Sequence, residues 1–289
     1  VNVVYIFVEK RNMIVITTGL SGTYLSATIP DLTFTIEGYR ALVEIKSDGD
    51  ILFSDYLFPF NDEITFAELS ELVQPYVHRR LMAELTVTIT EEFEDNEQKT
   101  TSTLTATVVY CSADFGISNA ESFLAEHFLT LLDGEKVTAL GRLEFLHYIG
   151  DDDAYATAEY SDGSTSDFTI ETLTGTSDFK TIDAYTVKAG QRSQRFVVDF
   201  EQPDCAPILM FENSFGCDEL VYCTGTHTVS PEYTRSTAYI NKMKRNYLIE
   251  ENREFKADTG VLTFTMANWL DELFRSKTVK LVNFFDGEA

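Results

Sequence analysis

Histidine, serine, cysteine and paired carboxylates are the side chains through which this chain could do acid–base, nucleophilic or metal chemistry. Catalysis needs a nucleophile, a base and an orienting group close in space. The four histidines, His78, His127, His147 and His227, stand far apart and in none of the HxH or HExxH ligand spacings. Ser21, in Gly19-Leu20-Ser21-Gly22-Thr23, falls one residue short of the GxSxG elbow, and no strand-to-helix transition follows it. It reads as a loop between strands. Glycosidase chemistry needs two carboxylates facing each other across a cleft, and 47 acidic residues single out no such pair. Asp151-Asp152-Asp153 and Asp162–Asp167 are oxygen-rich enough for calcium, but neither ends in the bidentate Glu of an EF-hand. Both read as solvated loop tips. Cys111, Cys205, Cys217 and Cys223 form no CxxC pair, so a structural zinc site is not expected and the thiols read as buried and reduced. Trp269 lies on the apolar stripe of a helix and reads as core. The expectation is a chain with no catalytic residue, no cofactor and no metal.

The elements that would have to position such groups are mostly strands. Phe (22) and Tyr (14) are abundant and hydrophobic residues make up 44% of the 289, enough for sizeable cores and suited to pleated sheets. Ile14–Thr18, Tyr24–Ile29, Leu32–Ile36, Ala41–Lys46 and Ile51–Phe58 read as short strands, with Asp48-Gly49 as a hairpin turn. Leu81–Glu91 and Thr101–Cys111 alternate apolar and Thr positions, joined by a loop, Glu91–Lys99, acidic enough to solvate itself. A helix is predicted around Phe66–Tyr76, with Thr65–Glu68 as a capping box and Pro75 limiting its far end. A second is predicted from Ser118 through Leu132, stopped by Gly134.

The second half repeats the pattern. Strands are predicted at Ala154–Tyr160, Asp167–Leu173, Thr181–Val187, Arg195–Phe200, Pro207–Glu212 and Leu220–Gly225. Ser236–Asn241, Tyr247–Phe255 and Val279–Phe285 follow, with a helix through Met266–Phe274. The fold class is mainly β. Two β-sandwich-like domains, 1–112 and 151–289, each carry a short capped helix and are joined by a helical connector or inserted lobe at 113–150.

The formal charge is −25. A surface that negative repels phosphate backbones, which argues against nucleic acid as a partner. No apolar run is long enough to span a bilayer. Against this acidic background two basic spots stand out in the second half: Arg192 and Arg195 in one, Lys242, Lys244 and Arg245 in the other. Each is a candidate contact for the acids of a neighbouring subunit.

Phe211-Glu212-Asn213-Ser214-Phe215-Gly216-Cys217-Asp218-Glu219-Leu220-Val221-Tyr222-Cys223-Thr224-Gly225 has a distinctive cadence. It resembles a segment of β-rich, tail-associated or uncharacterised proteins of Bacteroidetes bacteria and their phages or prophages. The resemblance runs on through Arg245–Lys256 and Trp269–Ser276 and covers the last third of the chain. It carries no catalytic motif. It implies a non-enzymatic structural protein such as a phage or prophage tail-type virion component, working as a homo-oligomer or larger assembly with other protein subunits. Its place would be the virion, or the bacterial cytoplasm before assembly. The alternative is a secreted or cell-surface module that binds glycan or protein.

Overall fold

A computed structural model of the chain describes residues 14–94, 99–169, 176–177, 180–202 and 206–283. The chain is mainly β and builds several sheets, as its composition predicts. It divides into two compact units, Val1–Ala125 with Ser214–Gly216, and Glu126–Asn213 with Cys217–Ala289.

The first unit contains β1 (Val15–Thr18), β2 (Thr23–Leu25), β3 (Leu32–Thr35), β4 (Arg40–Ser47), β5 (Asp50–Leu57) and β6 (Glu63–Phe66). α1 (Leu69–His78), β7 (Met82–Glu92), β8 (Lys99–Val109) and α2 (Ala120–Glu126) follow. One sheet has the order β1-β3-β6 and the other β2-β8-β7-β4-β5. Period-two alternation turns Ala41, Val43 and Ile45 of β4 and Leu85, Val87 and Ile89 of β7 inward. They meet Leu32, Phe34 and Ile64 of the smaller sheet, and Leu69, Val73 and Val77 of α1, in one core. The β4–β5 turn uses Asp48 and Gly49, both at positive φ (48° and 90°), as the sequence predicts.

Three expectations change here. Thr65 lies inside β6, with its hydroxyl against that of Thr33, so no capping box forms. α1 starts instead after Glu68, itself in the left-handed region (φ 60°), and has no side-chain cap. Pro75 sits inside α1 rather than ending it. The fully buried Val73 and Val77 on either side hold the helix through that position. Glu91 and Glu92 belong to β7 and are buried, at 0% and 3% exposure, rather than solvating the loop. Glu91 Oε1 accepts the amides of Glu37 and Gly38, each at 2.5 Å, and Glu92 pairs with Arg40 at 2.7 Å. The centre of that loop, 95–98, lies outside the described residues.

The second unit begins with β9 (Glu135–Thr138), followed by β10 (Ala154–Tyr160), β11 (Thr165–Thr169), β12 (Thr176–Ser177), β13 (Lys180–Ala189), β14 (Arg192–Val198), β15 (Ile208–Glu212) and β16 (Asp218–Tyr222). Then come β17 (His227–Ile240), β18 (Met243–Ala257), α3 (Phe264–Trp269), α4 (Asp271–Arg275) and β19 (Val279–Asn283). Its main sheet runs β11-β10-β13-β14-β9, with β12 paired to β13. β16-β15-β19 form a second sheet and β17-β18 a two-stranded ribbon. The predicted strand ends at 170–173 and 284–285, and Cys205, lie outside the described residues.

The helical connector expected at 113–150 is not one. α2 stops at Glu126, capped by Asn119, whose Oδ1 accepts the Ser122 amide at 3.0 Å. Phe128, Leu129 and Leu132 are buried in irregular chain, where Leu129 donates to the His147 carbonyl. β9 then pairs in parallel with β14, which makes it part of the second unit's sheet. The predicted Met266–Phe274 helix is likewise two short helices meeting at Leu270. Thr263 caps α3 by accepting the Met266 amide at 3.2 Å. Met266, Trp269, Leu270 and Leu273 pack with Phe211 and Val221, while Phe274 is 78% exposed and outside that core.

Candidate interaction surface

β17 and β18 run antiparallel from His227 opposite Ala257 to Ile240 opposite Met243, and among the described residues no other strand pairs with either. The sequence reading placed strands at Ser236–Asn241 and Tyr247–Phe255, which fall on β17 and β18, but missed the root half of β17. At about 3.3 Å per residue, 14 residues make an arm about 45 Å long. Its tip is the two-residue turn Asn241-Lys242, both at positive φ (51° and 62°), the geometry of a type I′ hairpin. Asn tolerates that region readily, whereas Lys does so at a steric cost of roughly 1–2 kcal/mol. The register skips Tyr247, a β-bulge that breaks the regular edge of β18. Pro231 removes a donor from the edge of β17. At the root, Gly225 donates to the Asp258 carbonyl, and a side chain there would meet the Asp258 carboxylate at 2.7 Å.

Opposed residues in a ribbon share a face. Val229, Tyr233, Ile249 and Phe255 share one face of the root half with Arg235, Glu251 and Arg253, and Ser230, Glu232, Thr234, Glu250, Asn252 and Glu254 lie on the other. All of β18 is exposed. Tyr239, Tyr247, Ile249 and Met243 are 76%, 69%, 55% and 54% exposed, and Ile240 and Leu248 lie among them. A lone two-stranded ribbon is marginally stable in water, and clustered exposed apolar residues mark interaction sites.

The basic residues named from sequence fall into two groups. Arg192 is buried: it donates to Asp152 at 2.8 Å and to the carbonyls of Ile149 and Ala189, with its guanidinium 5.2 Å from the Tyr148 ring centroid. Arg195 pairs with Glu135 on the neighbouring β9 and with Glu159 on β10, the strand beyond β13. Both therefore have their charges matched within the chain. Lys242, Lys244 and Arg245 sit at the exposed arm tip and make no ion pair with a described residue. From Arg235 to Ile249 the arm carries four cations and no acid. With the chain at −25, the remainder stands at −29.

The second unit also holds a buried polar cluster that the sequence did not reveal. Glu219 accepts from Trp269 Nε1 at 2.5 Å and from Asn213 Nδ2 at 2.6 Å. Burial, then the nearby charge of Glu272, pushes its carboxyl up to about 7. Lys136 donates to Glu144 at 2.5 Å and to the Leu220 carbonyl at 2.9 Å, and its ammonium lies 4.6 Å from the Trp269 ring centroid. A raised carboxyl beside a cation is a pattern found in active sites. Here, however, the cavity bounded by Lys136 and Trp269 has about 20 Å³, the scale of one water. Between Lys136 and Trp269 these groups pack closely, whereas Glu144, the partner of Lys136, also borders a larger cavity.

Larger concavities lie elsewhere among the described residues, including an open groove of about 460 Å³ along Glu84, Thr86, Thr105 and Thr107 in the first unit. Ser21 lines an open groove of about 600 Å³ in the first unit, with Asp114, Asn119 and Glu121. No histidine stands among its described lining residues to serve as a base. In the second unit a cavity of about 360 Å³ is lined by Phe145, His147, Tyr185 and Phe196 together with the charged Arg142 and Glu144. Tyr185 and Phe196 stack there at 4.9 Å, and burial raises the Tyr185 hydroxyl. Burial also pushes the Cys217 thiol up to about 12, far from reactive. Among the described residues no three His, Cys, Asp or Glu side chains gather as a metal site. No helix among them is long and apolar enough to cross a membrane. No protein-family model matches this chain, and no curated protein is significantly similar to it.

Proposed function

We propose that this chain is a non-enzymatic structural or interaction protein whose β-arm docks on other protein subunits, as a phage or prophage tail-type virion component would. The observation that carries this reading is the exposed ribbon β17–β18. It holds out Tyr239, Met243, Tyr247 and Ile249 beside Lys242, Lys244 and Arg245, which make no ion pair with a described residue, on an otherwise acidic chain. Water does not favour such an arm by itself, so a protein surface that covers it supplies the missing burial. The enclosure of the Glu219–Lys136 cluster supports a structural role for those ionisable groups. On this reading the protein resides in the virion, or in the bacterial cytoplasm before assembly. Light scattering on the full chain, and on a variant with 228–256 replaced by Asn-Gly, tests it. The full chain is expected above monomer mass and the armless variant at monomer mass. A monomer at every salt concentration, with no arm-dependent partner, would overturn it.

A second reading is a secreted or cell-surface module binding glycan or protein. The aromatic cavity at Phe145, Tyr185 and Phe196 favours it, because stacked rings suit a sugar face or an apolar side chain. A glycan array read with the wild type and Tyr185→Ala tests that reading: Tyr185-dependent binding supports it, and no binding removes it.

A further inference from the structure

We infer that the partner of the arm tip is a second copy of this chain, received along the open edge of the first unit's larger sheet. This rests on the interaction reading above and names its partner. β5 ends that sheet, and among the described residues β4 is its only neighbour. Exposed apolar residues lie on this outer border and just beyond it: Ile51 on β5, and Phe58 and Phe60 in the segment leading to β6, are 60%, 65% and 79% exposed. Its own charges are mostly anionic, with the Arg40 guanidinium 3.9 Å from the ring centroid of Tyr56 on β5. Between Ser47 and His78 the chain has seven acids and neither Lys nor Arg. Arg80 engages Asp48 and Asp50 at one end, whereas Asp55, Asp62 and Glu63 make no ion pair with a described residue.

The arm tip is the counterpart of this border. It has four cations, no acids and exposed Tyr239, Met243 and Tyr247. One surface is aromatic and negative, the other aromatic and positive, so apolar burial and charge matching act in the same direction. The bulge at Tyr247 and Pro231 interrupt simple strand addition along the arm's own edges, which leaves its faces as the docking surface. Because tip and border are different surfaces, the contact is heterologous. Each copy gives one arm and receives another, so the contact can extend beyond a single encounter.

The test measures self-association of the full chain by analytical ultracentrifugation. Two variants and their equimolar mixture are compared with wild type: the tip reversal Lys242→Glu/Lys244→Glu/Arg245→Glu and the border reversal Asp55→Lys/Asp62→Lys/Glu63→Lys. Each reversal alone is expected to weaken association by about tenfold or more, and raising salt from about 0.05 M to about 0.5 M to weaken the wild type similarly. The mixture is expected to regain pairing, because the reversed tip then meets the reversed border. Circular dichroism confirms that each variant folds; for a misfolded one, single reversals at Lys244 and Asp62 replace the triples. Association that responds to the tip but not to the border overturns the proposed socket and leaves the interaction reading standing. A wild-type monomer under all conditions overturns both.

Discussion

The indole of Trp269 donates its N–H to the Glu219 carboxylate at 2.5 Å, with Trp269 2% and Glu219 5% exposed. The acceptor is a group whose charged form burial disfavours, since its pKa rises from 4.5 to about 7. In the folded state Glu219 therefore holds its proton more tightly than in the unfolded chain. Its contribution is most favourable below about pH 4.5 and declines as pH rises to about 7, by on the order of 3 kcal/mol in all. Other carboxylates act in the opposite sense, so the comparison must be with Glu219→Gln. The wild type minus variant difference in urea stability should fall between pH 4.5 and 7 and level off above it. A difference that is flat, or that rises, would reject the assignment.

Truncating Trp269 separates packing from the hydrogen bond. Trp269→Ala should cost about 3–5 kcal/mol, the usual loss for a large buried aromatic. Trp269→Phe keeps a ring against Phe211, whose centroid lies 5.7 Å away, but leaves Glu219 short of a donor, for about 1–3 kcal/mol. Equal losses in chemical denaturation would mean that the N–H contributes nothing separate from shape.

Glu91 and Gly38 form a second buried joint. Glu91 Oε1 takes the amides of Glu37 and Gly38, and a Cβ on Gly38 would stand 2.5 Å from the Glu92 carbonyl oxygen. Gly38→Ala must push backbone aside and should destabilise by about 1–3 kcal/mol. Glu91→Ala, which strands two amides, should cost at least as much. Thermal unfolding of both variants near the wild-type midpoint would contradict this.

At the arm tip, Lys242 holds a backbone region that glycine enters freely. Lys242→Gly should protect the amides of Tyr239–Lys244 from exchange more strongly than in wild type, while it lowers self-association by removing one tip cation. If protection falls, the strain assigned to Lys242 is absent.

Trypsin offers a direct view of the arm. Lys242, Lys244 and Arg245 are exposed, so cleavage between 242 and 245 should be early at high salt and slowed under conditions of assembly. Cleavage equally fast in both conditions would argue that the tip stays uncovered.

Local chemistry was legible in the sequence wherever a short stretch meets a core. The inward series Leu85, Val87 and Ile89 against Thr86, Thr88 and Thr90 repeats every two residues, so β7 could be read directly, as could the Asp48-Gly49 turn. The core role of Trp269 followed from its place on an apolar stripe. What only the tertiary structure decided is where the charges lie. Glu91, Glu219, Lys136 and Arg192 have the letters of surface residues. Their burial depends on partners such as Gly38, 53 positions away, Trp269, 50 away, and Ile149, 43 away. The arm escaped for a related reason. A ribbon exposed on both faces has no core to impose alternation, and Asn241-Lys242 lacks the glycine that announces a hairpin. Its length emerged only from the register that pairs His227 with Ala257, because pairing over that distance is a property of two strands together and of neither alone.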